Sequence, residues 1–157
     1  MTLIVEKLDE MIGAGLPYEQ ICDEIMQYKS KTGLVFLLKS LRTLANNGRV
    51  SPIIAKVSGM LGICVISKAS DIGTIQPIQK CRGEKRAIEA LCDAIGEEGF
   101  KSGKISIGHC QNEAAANQVK KMLIQKYENI TAEIHELGGL CSFYAEMGGV
   151  LVGFEKE

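Results

Sequence analysis

LRTLANNGRVSPIIAKVSGMLGICVISKASDIGTIQPIQKCRGEKRAIEAL, residues 41–91, carries the most specific local signals in the chain. An apolar helical segment over about 40–47 ends in Asn46-Asn47-Gly48-Arg49-Val50-Ser51-Pro52. There Gly48 is free to take positive φ, Ser51 is placed to cap a helix and Pro52 to open it, which predicts a helix over 51–60. Two runs, Ile63–Lys68 and Thr74–Lys80, flank the turn-forming Ala69-Ser70-Asp71-Ile72-Gly73 and predict a β-hairpin. After Lys80-Cys81-Arg82-Gly83 a helix over Glu84–Ile95 turns Ala87, Ile88, Leu91, Cys92 and Ile95 inward, with Gly96 and Gly99 as its stop.

Before this stretch, Leu3, Ile4, Leu8, Met11 and Ile12 recur at helical spacing up to Gly13-Ala14-Gly15-Leu16-Pro17, and a second helix follows with Ile21, Cys22, Ile25 and Met26 on one stripe. Leu34-Val35-Phe36-Leu37-Leu38 is a short continuous apolar run, which reads as a central strand buried on both faces. Beyond the stretch, a strand over 104–109, a helix over 112–127 with Ala115, Ala116, Val119, Met122 and Leu123 inward, and a strand over 130–136 make a β-α-β unit. Such a unit implies parallel neighbours. Glycine pairs 138–139 and 148–149 bracket a short aromatic segment ahead of the apolar strand Val150–Phe154. The expectation is an α/β protein: a helical hairpin over 1–30, then an α/β domain over 31–157 whose mixed sheet of about six strands has helices packed on it.

A chain of 157 residues with 46% hydrophobic content is large enough for one domain burying roughly 70% of its extended surface. Its net charge of −1 supplies no basic footprint for nucleic acid. No apolar run approaches the roughly 20 residues needed to span a bilayer, and no signal-peptide pattern leads the chain, so the expected compartment is cytoplasmic. The cysteines 22, 64, 81, 92, 110 and 141 stand singly, without metal-ligand spacing, and read as small buried hydrophobes in a reducing cell. Cys110 differs, because His109-Cys110 joins a strand to a helix whose N-terminus could favour a thiolate. Gly148-Gly149 feeds a strand and lacks an adjacent Lys and Ser/Thr, so it is not a phosphate loop. His135 alternates with Glu133 and Leu137 on one strand face and reads as a surface histidine. Neither catalytic residues nor metal ligands emerge, and an enzyme is not expected.

Gly48-Arg49-Val50-Ser51, Met60-Leu61-Gly62-Ile63 running into a strand, and Lys80-Cys81-Arg82-Gly83 before a basic helix resemble the second half of the DegV family, the bacterial fatty-acid-binding proteins. The resemblance implies the second domain of a two-domain carrier that holds a long-chain fatty acid and, in some members, presents its carboxylate to a fatty-acid kinase for phospholipid synthesis. The family's earlier domain, which supplies Thr and Ser donors to the carboxylate, is absent from this sequence. The family's His-x-Gly-Pro-Gly motif also departs here, with Tyr144 or Ala145 at the histidine, and Cys64-Val65 stands where members that partner the lipid kinase show Lys-Pro. On this resemblance Tyr144, Leu61 and Ile63 are the candidate lipid-binding residues, and Arg49 and Arg82 the candidate partner-binding residues on a shared basic surface. Read locally, the two arginines at turns snorkel or bond loop carbonyls. The Tyr144 hydroxyl either donates to a carboxylate or rests at a core edge with its tip in water. A protein-interaction module that contacts a kinase without holding ligand is the alternative function.

Overall fold

The computed structural model describes residues 1–51, 62–70 and 72–156, so the helix expected over 51–60 and the candidate Leu61 lie outside the described residues. The described elements are α1 (Thr2–Gly13), α2 (Tyr18–Ser30), β1 (Thr32–Leu38), α3 (Arg42–Asn46), β2 (Ile63–Ala69), β3 (Ile75–Arg82), α4 (Glu84–Glu97), β4 (Gly103–His109), α5 (Glu113–Lys126), β5 (Ile130–Glu136), α6 (Gly139–Ala145) and β6 (Val150–Glu155).

The strands form one six-stranded mixed sheet in the order β3-β2-β1-β6-β4-β5. The hairpin forms as expected, with Cys64 opposite Cys81 and one bulge where the β3 register shifts between Ile66 and Ser67. β4 and β5 are parallel across the α5 crossover. The last strand, β6, inserts between β1 and β4 and runs antiparallel to both. β1 is therefore central, and its last four residues are buried.

Alternation divides the sheet into two unlike faces. Val35, Leu37, Cys64, Ile66, Ile105, Ile107, Val150, Val152 and Phe154 meet Ala87, Ile88, Leu91 and Ile95 of α4 and Ala116, Val119 and Leu123 of α5 in the main core. The Cys92 thiol is pushed up to about 12 by burial in this layer, in keeping with a small buried hydrophobe. The opposite face carries a smaller cluster, Phe36, Leu38, Leu41, Leu44, Val50, Val65 and Ala145, with Leu137, Tyr144 and Leu151 packed against it. α1 lies on β4 and β6 of this second face through Leu3 and Met11, whereas α2 buries no residue and is tied to β6 by Tyr28 Oη donating to Glu155 Oε1 at 2.8 Å.

One expectation changes, and two local features are added. Gly96 does not stop α4 but lies inside it, where a Cβ would run into the Tyr127 hydroxyl, and the chain turns only at Gly99, with φ +97°. The segment between the last two glycine pairs is a seven-residue helix, α6, which its glycine-rich flanks concealed. The His135 side chain is 40% exposed, as expected of a surface histidine, although its Nε2 is enclosed, 3.7 Å from a Glu133 oxygen.

If α4 seals the main core, Leu91→Ala should lower unfolding free energy by about 2–5 kcal/mol, whereas Ile124→Ala, at a position 53% exposed, should stay within about 0.5 kcal/mol. Urea titration of both variants checks the contrast.

Candidate functional site

The register places the carboxyl ends of β1, β3, β4 and β5 at the same edge of the sheet as the starts of β2 and β6. α/β proteins characteristically bind ligands just beyond the carboxyl ends of their strands. Lys39, Ile63, Arg82, Glu84, His109, Cys110, Asn112, Leu137 and Gly149 all gather at this rim, and α6 closes over it.

Polar groups at the rim are wired together. Asn112 caps α5, its side chain accepting from the Ala115 N–H, while its Nδ2 donates to Glu84 Oε1 at 2.8 Å and to the Gly148 carbonyl at 2.9 Å. Lys39 Nζ meets the same Glu84 oxygen at 2.8 Å. The hydrogen bonds from Lys39 and Asn112 hold the Glu84 carboxyl below its ordinary value. The residue after β1, one in the first turn of α4 and the cap of α5 are thereby joined to the loop entering β6. His109 Nδ1 accepts from the Asn112 N–H at 3.3 Å, and the Cys110 backbone pairs in both directions with the 148–149 loop. The Cys110 thiol is directed toward the Ser142 carbonyl at 3.8 Å, and it is Asn112, not Cys110, that serves the α5 N-terminus.

Glu146 is a second device. It is a non-glycine residue with φ +53° and ψ 172°, a conformation costing about 1–3 kcal/mol. Its carboxylate accepts from the Thr43 N–H at 2.9 Å, so it caps α3 from across the site. Burial raises its pKa, but hydrogen bonds from Thr43 and Ser40 and the charge of Arg42 outweigh this and leave the carboxyl below its ordinary value. Next to it, Gly149 lies so close to α6 that a Cβ there would stand 2.5 Å from the Ala145 carbonyl oxygen.

Ile63 is half-buried at the start of β2, on the second face in line with Val65 and Ser67, and Tyr144 packs half-buried against the same cluster with its ring edge-on to Phe143. Alternation thus puts Ile63 on the same sheet face as the cluster against which Tyr144 packs. It separates Arg49 and Arg82. Arg82 is exposed at the rim opposite Ile63, whereas Arg49 donates to the Gly73 carbonyl at 3.3 Å and its own carbonyl accepts from the Ile75 N–H, at the far end of the hairpin. From Ile75 to Arg82 is seven residue steps of β3, about 23 Å at strand rise, so the shared basic surface expected of the pair does not form. The hairpin folds its turn away from the rim, and Arg49 bonds loop carbonyl in the way that its local reading allowed. Sequence reasoning missed Lys39, Glu84, Asn112 and Glu146, although Asn112 at the start of an apolar helical pattern and Glu84 in a first helical turn were available as capping signals.

A six-stranded mixed-sheet α/β domain with an apolar wall under a polar rim, and no cluster of metal-ligating side chains among the described residues, is the class defined by fold and site. The chain belongs to the DegV family: a family model described as uncharacterised protein, DegV family, matches residues 1–157. A DegV domain-containing protein of Streptococcus pyogenes serotype M3 is 40% identical over 155 residues, covering 99% of this chain and 55% of the relative. The structure of a DegV family protein from Eubacterium eligens loaded with heptadecanoic acid superposes with a TM-score of 0.95 at 41% identity, covering 99% of this chain and 56% of that one. The Streptococcus pneumoniae fatty acid kinase B3 protein loaded with linoleic acid gives 0.94 at 37% identity, with 99% and 55% covered. The chain therefore spans about half the length of the relatives it matches.

The rim network has a pH signature. A carboxyl whose folded pKa lies below its unfolded value contributes stability above the unfolded pKa, and that contribution is lost as pH falls through the folded pKa. Glu84 and Glu146 are both depressed from 4.5, so stability should decline as pH drops below that value. Glu84→Gln should flatten this acid limb in thermal melts across pH, and an unchanged limb would show that Glu84 carries none of it.

Proposed function

We propose that this chain is the acyl-chain-binding part of a DegV-type carrier that holds a long-chain fatty acid and presents its carboxylate to a kinase for phospholipid synthesis. The observation that carries the reading is the superposition, at a TM-score of 0.95, on a relative loaded with heptadecanoic acid, and the smaller apolar cluster of the second face is the wall that the chain would meet. Each methylene moved from water onto such a wall is worth about 0.8 kcal/mol. In this reading Tyr144, Ile63 and Leu61 line the lipid, Arg82 at the rim meets a partner beside the head group, and Arg49 contacts it separately if the partner reaches the hairpin turn. The protein acts by binding rather than catalysis, needs no cofactor, and works in the cytoplasm. Among the described residues no helix is long and apolar enough to cross a membrane.

The proposal divides the chain into a helical hairpin over 1–30 and the α/β domain over 31–157, and it assigns the missing carboxylate donors to the other part of a longer, two-domain protein. An ionised carboxylate is costly to bury without donors, and the Tyr144 hydroxyl is the one donor this reading takes from the chain itself. A second reading, a protein-interaction module without ligand, draws on Leu140, Phe143 and Met147, which stand 70%, 55% and 72% exposed on and just after α6.

Mass spectrometry of an organic extract, followed by titration of a long-chain acid and its methyl ester, separates the readings. The carrier reading expects bound fatty acid, and acid and ester affinities within about tenfold in this chain, because its grip is mainly apolar. A clean extract together with no binding of either ligand supports the interaction module instead.

A further inference from the structure

Ser67 is the exception on the apolar wall. It lies in β2 directly opposite Phe36 of β1, on the same face as Ile63 and Val65, and its side chain is 0% exposed. Its Oγ is enclosed and has no hydrogen-bond partner among the described residues. The strands around it are regular on the β1 side, since the register from Val35 to Leu38 runs unbroken against Lys68 to Val65, so the side chain is committed to this face. A buried hydroxyl without a partner costs about 1–3 kcal/mol, and alanine would fill the same space without that cost. The second enclosed polar atom without a partner, His135 Nε2, has Glu133 at 3.7 Å, whereas Ser67 is flanked by Phe36 of β1 and, at the bulge, by Pro77 of β3, which has no N–H to offer.

Position gives the hydroxyl a meaning. Ile63 stands at the rim where the polar network ends, and Ser67 lies four strand residues further down, about 13 Å at strand rise. A long acyl chain whose carboxylate rests at the rim and whose methylenes follow β2 passes this hydroxyl near its middle. We propose that Ser67 is a specificity-determining residue that selects acyl chains bearing a hydrogen-bond acceptor near mid-chain, either the π face of a cis double bond or an oxygen substituent. This rests on the acyl-chain reading above. A saturated chain leaves the Ser67 donor as lonely as it is in the ligand-free protein, while an acceptor at that depth satisfies it in a low-dielectric setting where hydrogen bonds are strong. An oxygen accepts a full hydrogen bond; an alkene accepts a weaker one.

The test is competition binding of stearic acid, oleic acid and a mid-chain hydroxystearic acid to the 157-residue chain and to its Ser67→Ala variant. The substitution is smaller than the original and removes an unsatisfied group, so the variant should melt no lower than the parent. The parent should favour the hydroxy acid over stearic acid by about tenfold and oleic acid over stearic acid by about threefold, in proportion to the strength of the acceptor. Ser67→Ala should abolish the oleic advantage and turn the hydroxy acid into the weakest ligand, its oxygen now the unsatisfied group. A larger gain for oleic than for the hydroxy acid would overturn the proposal, because an order set by this hydroxyl must follow acceptor strength. Ratios that survive Ser67→Ala unchanged would mean that chain shape, not this hydroxyl, does the selecting, and would overturn the proposal. A parent that binds none of the three acids would instead overturn the acyl-chain reading, and this proposal with it.

Discussion

Pairing of β6 with both β1 and β4 is the constraint on which the rest of the molecule depends. Val150 to Glu155 supplies the only described ladder between the β3-β2-β1 half of the sheet and the β4-β5 half. Because β6 runs antiparallel to both neighbours, the carboxyl ends of β1 and β4 come to the same edge, and the loop that delivers β6 is forced to cross between them. Gly148 and Gly149 make that crossing possible: one takes φ +90°, and the other lets the strand begin against the Ala145 carbonyl. The Lys39, Glu84 and Asn112 network then fastens the crossing from three elements, so the rim is shaped by the same contacts that close the sheet.

The two faces of this sheet serve different ends. The α4 and α5 face is a continuous apolar layer with closely packed aliphatic side chains, and it accounts for most of the buried residues. The other face is a smaller cluster under short helices, with a strained Glu146 and an unsatisfied Ser67 hydroxyl within it or at its border. Local strain and unsatisfied polar groups tend to persist where a ligand or partner gives them a use. Both lie on the face that carries Tyr144 and Ile63, not on the one that α4 seals.

Much of the fold is legible locally. The hairpin announces itself through two runs around a turn-forming segment, and the β4-α5-β5 unit through a change of period from two to about 3.6 and back, because each signal lies within a few dozen residues. The choice of β1 and β4 as partners for β6 is not legible in that way, since Val35 and Val152 meet across more than a hundred residues and any apolar strand would satisfy the same pattern. The site follows the same division. The distance between Arg49 and Arg82 depends on the direction of the hairpin, and the grouping of Lys39, Glu84 and Asn112 depends on three separate turns arriving at one edge. Ser67 sits in a run that alternation alone marks as strand; only its burial without a partner distinguishes it from any small residue on a sheet.

The central claim is that the second face of the sheet, not the α4 and α5 core, receives an acyl chain. The most direct measurement is nuclear Overhauser transfer between an isotope-labelled fatty acid and the methyl and aromatic groups of the protein. The account predicts cross-peaks from mid-chain methylenes to Phe36, Leu38 and Val65, and none to Leu91, Ile107 or Val119. Contacts confined to the second set, or a bound acid that touches only the exposed Leu140, Phe143 and Met147, would contradict it.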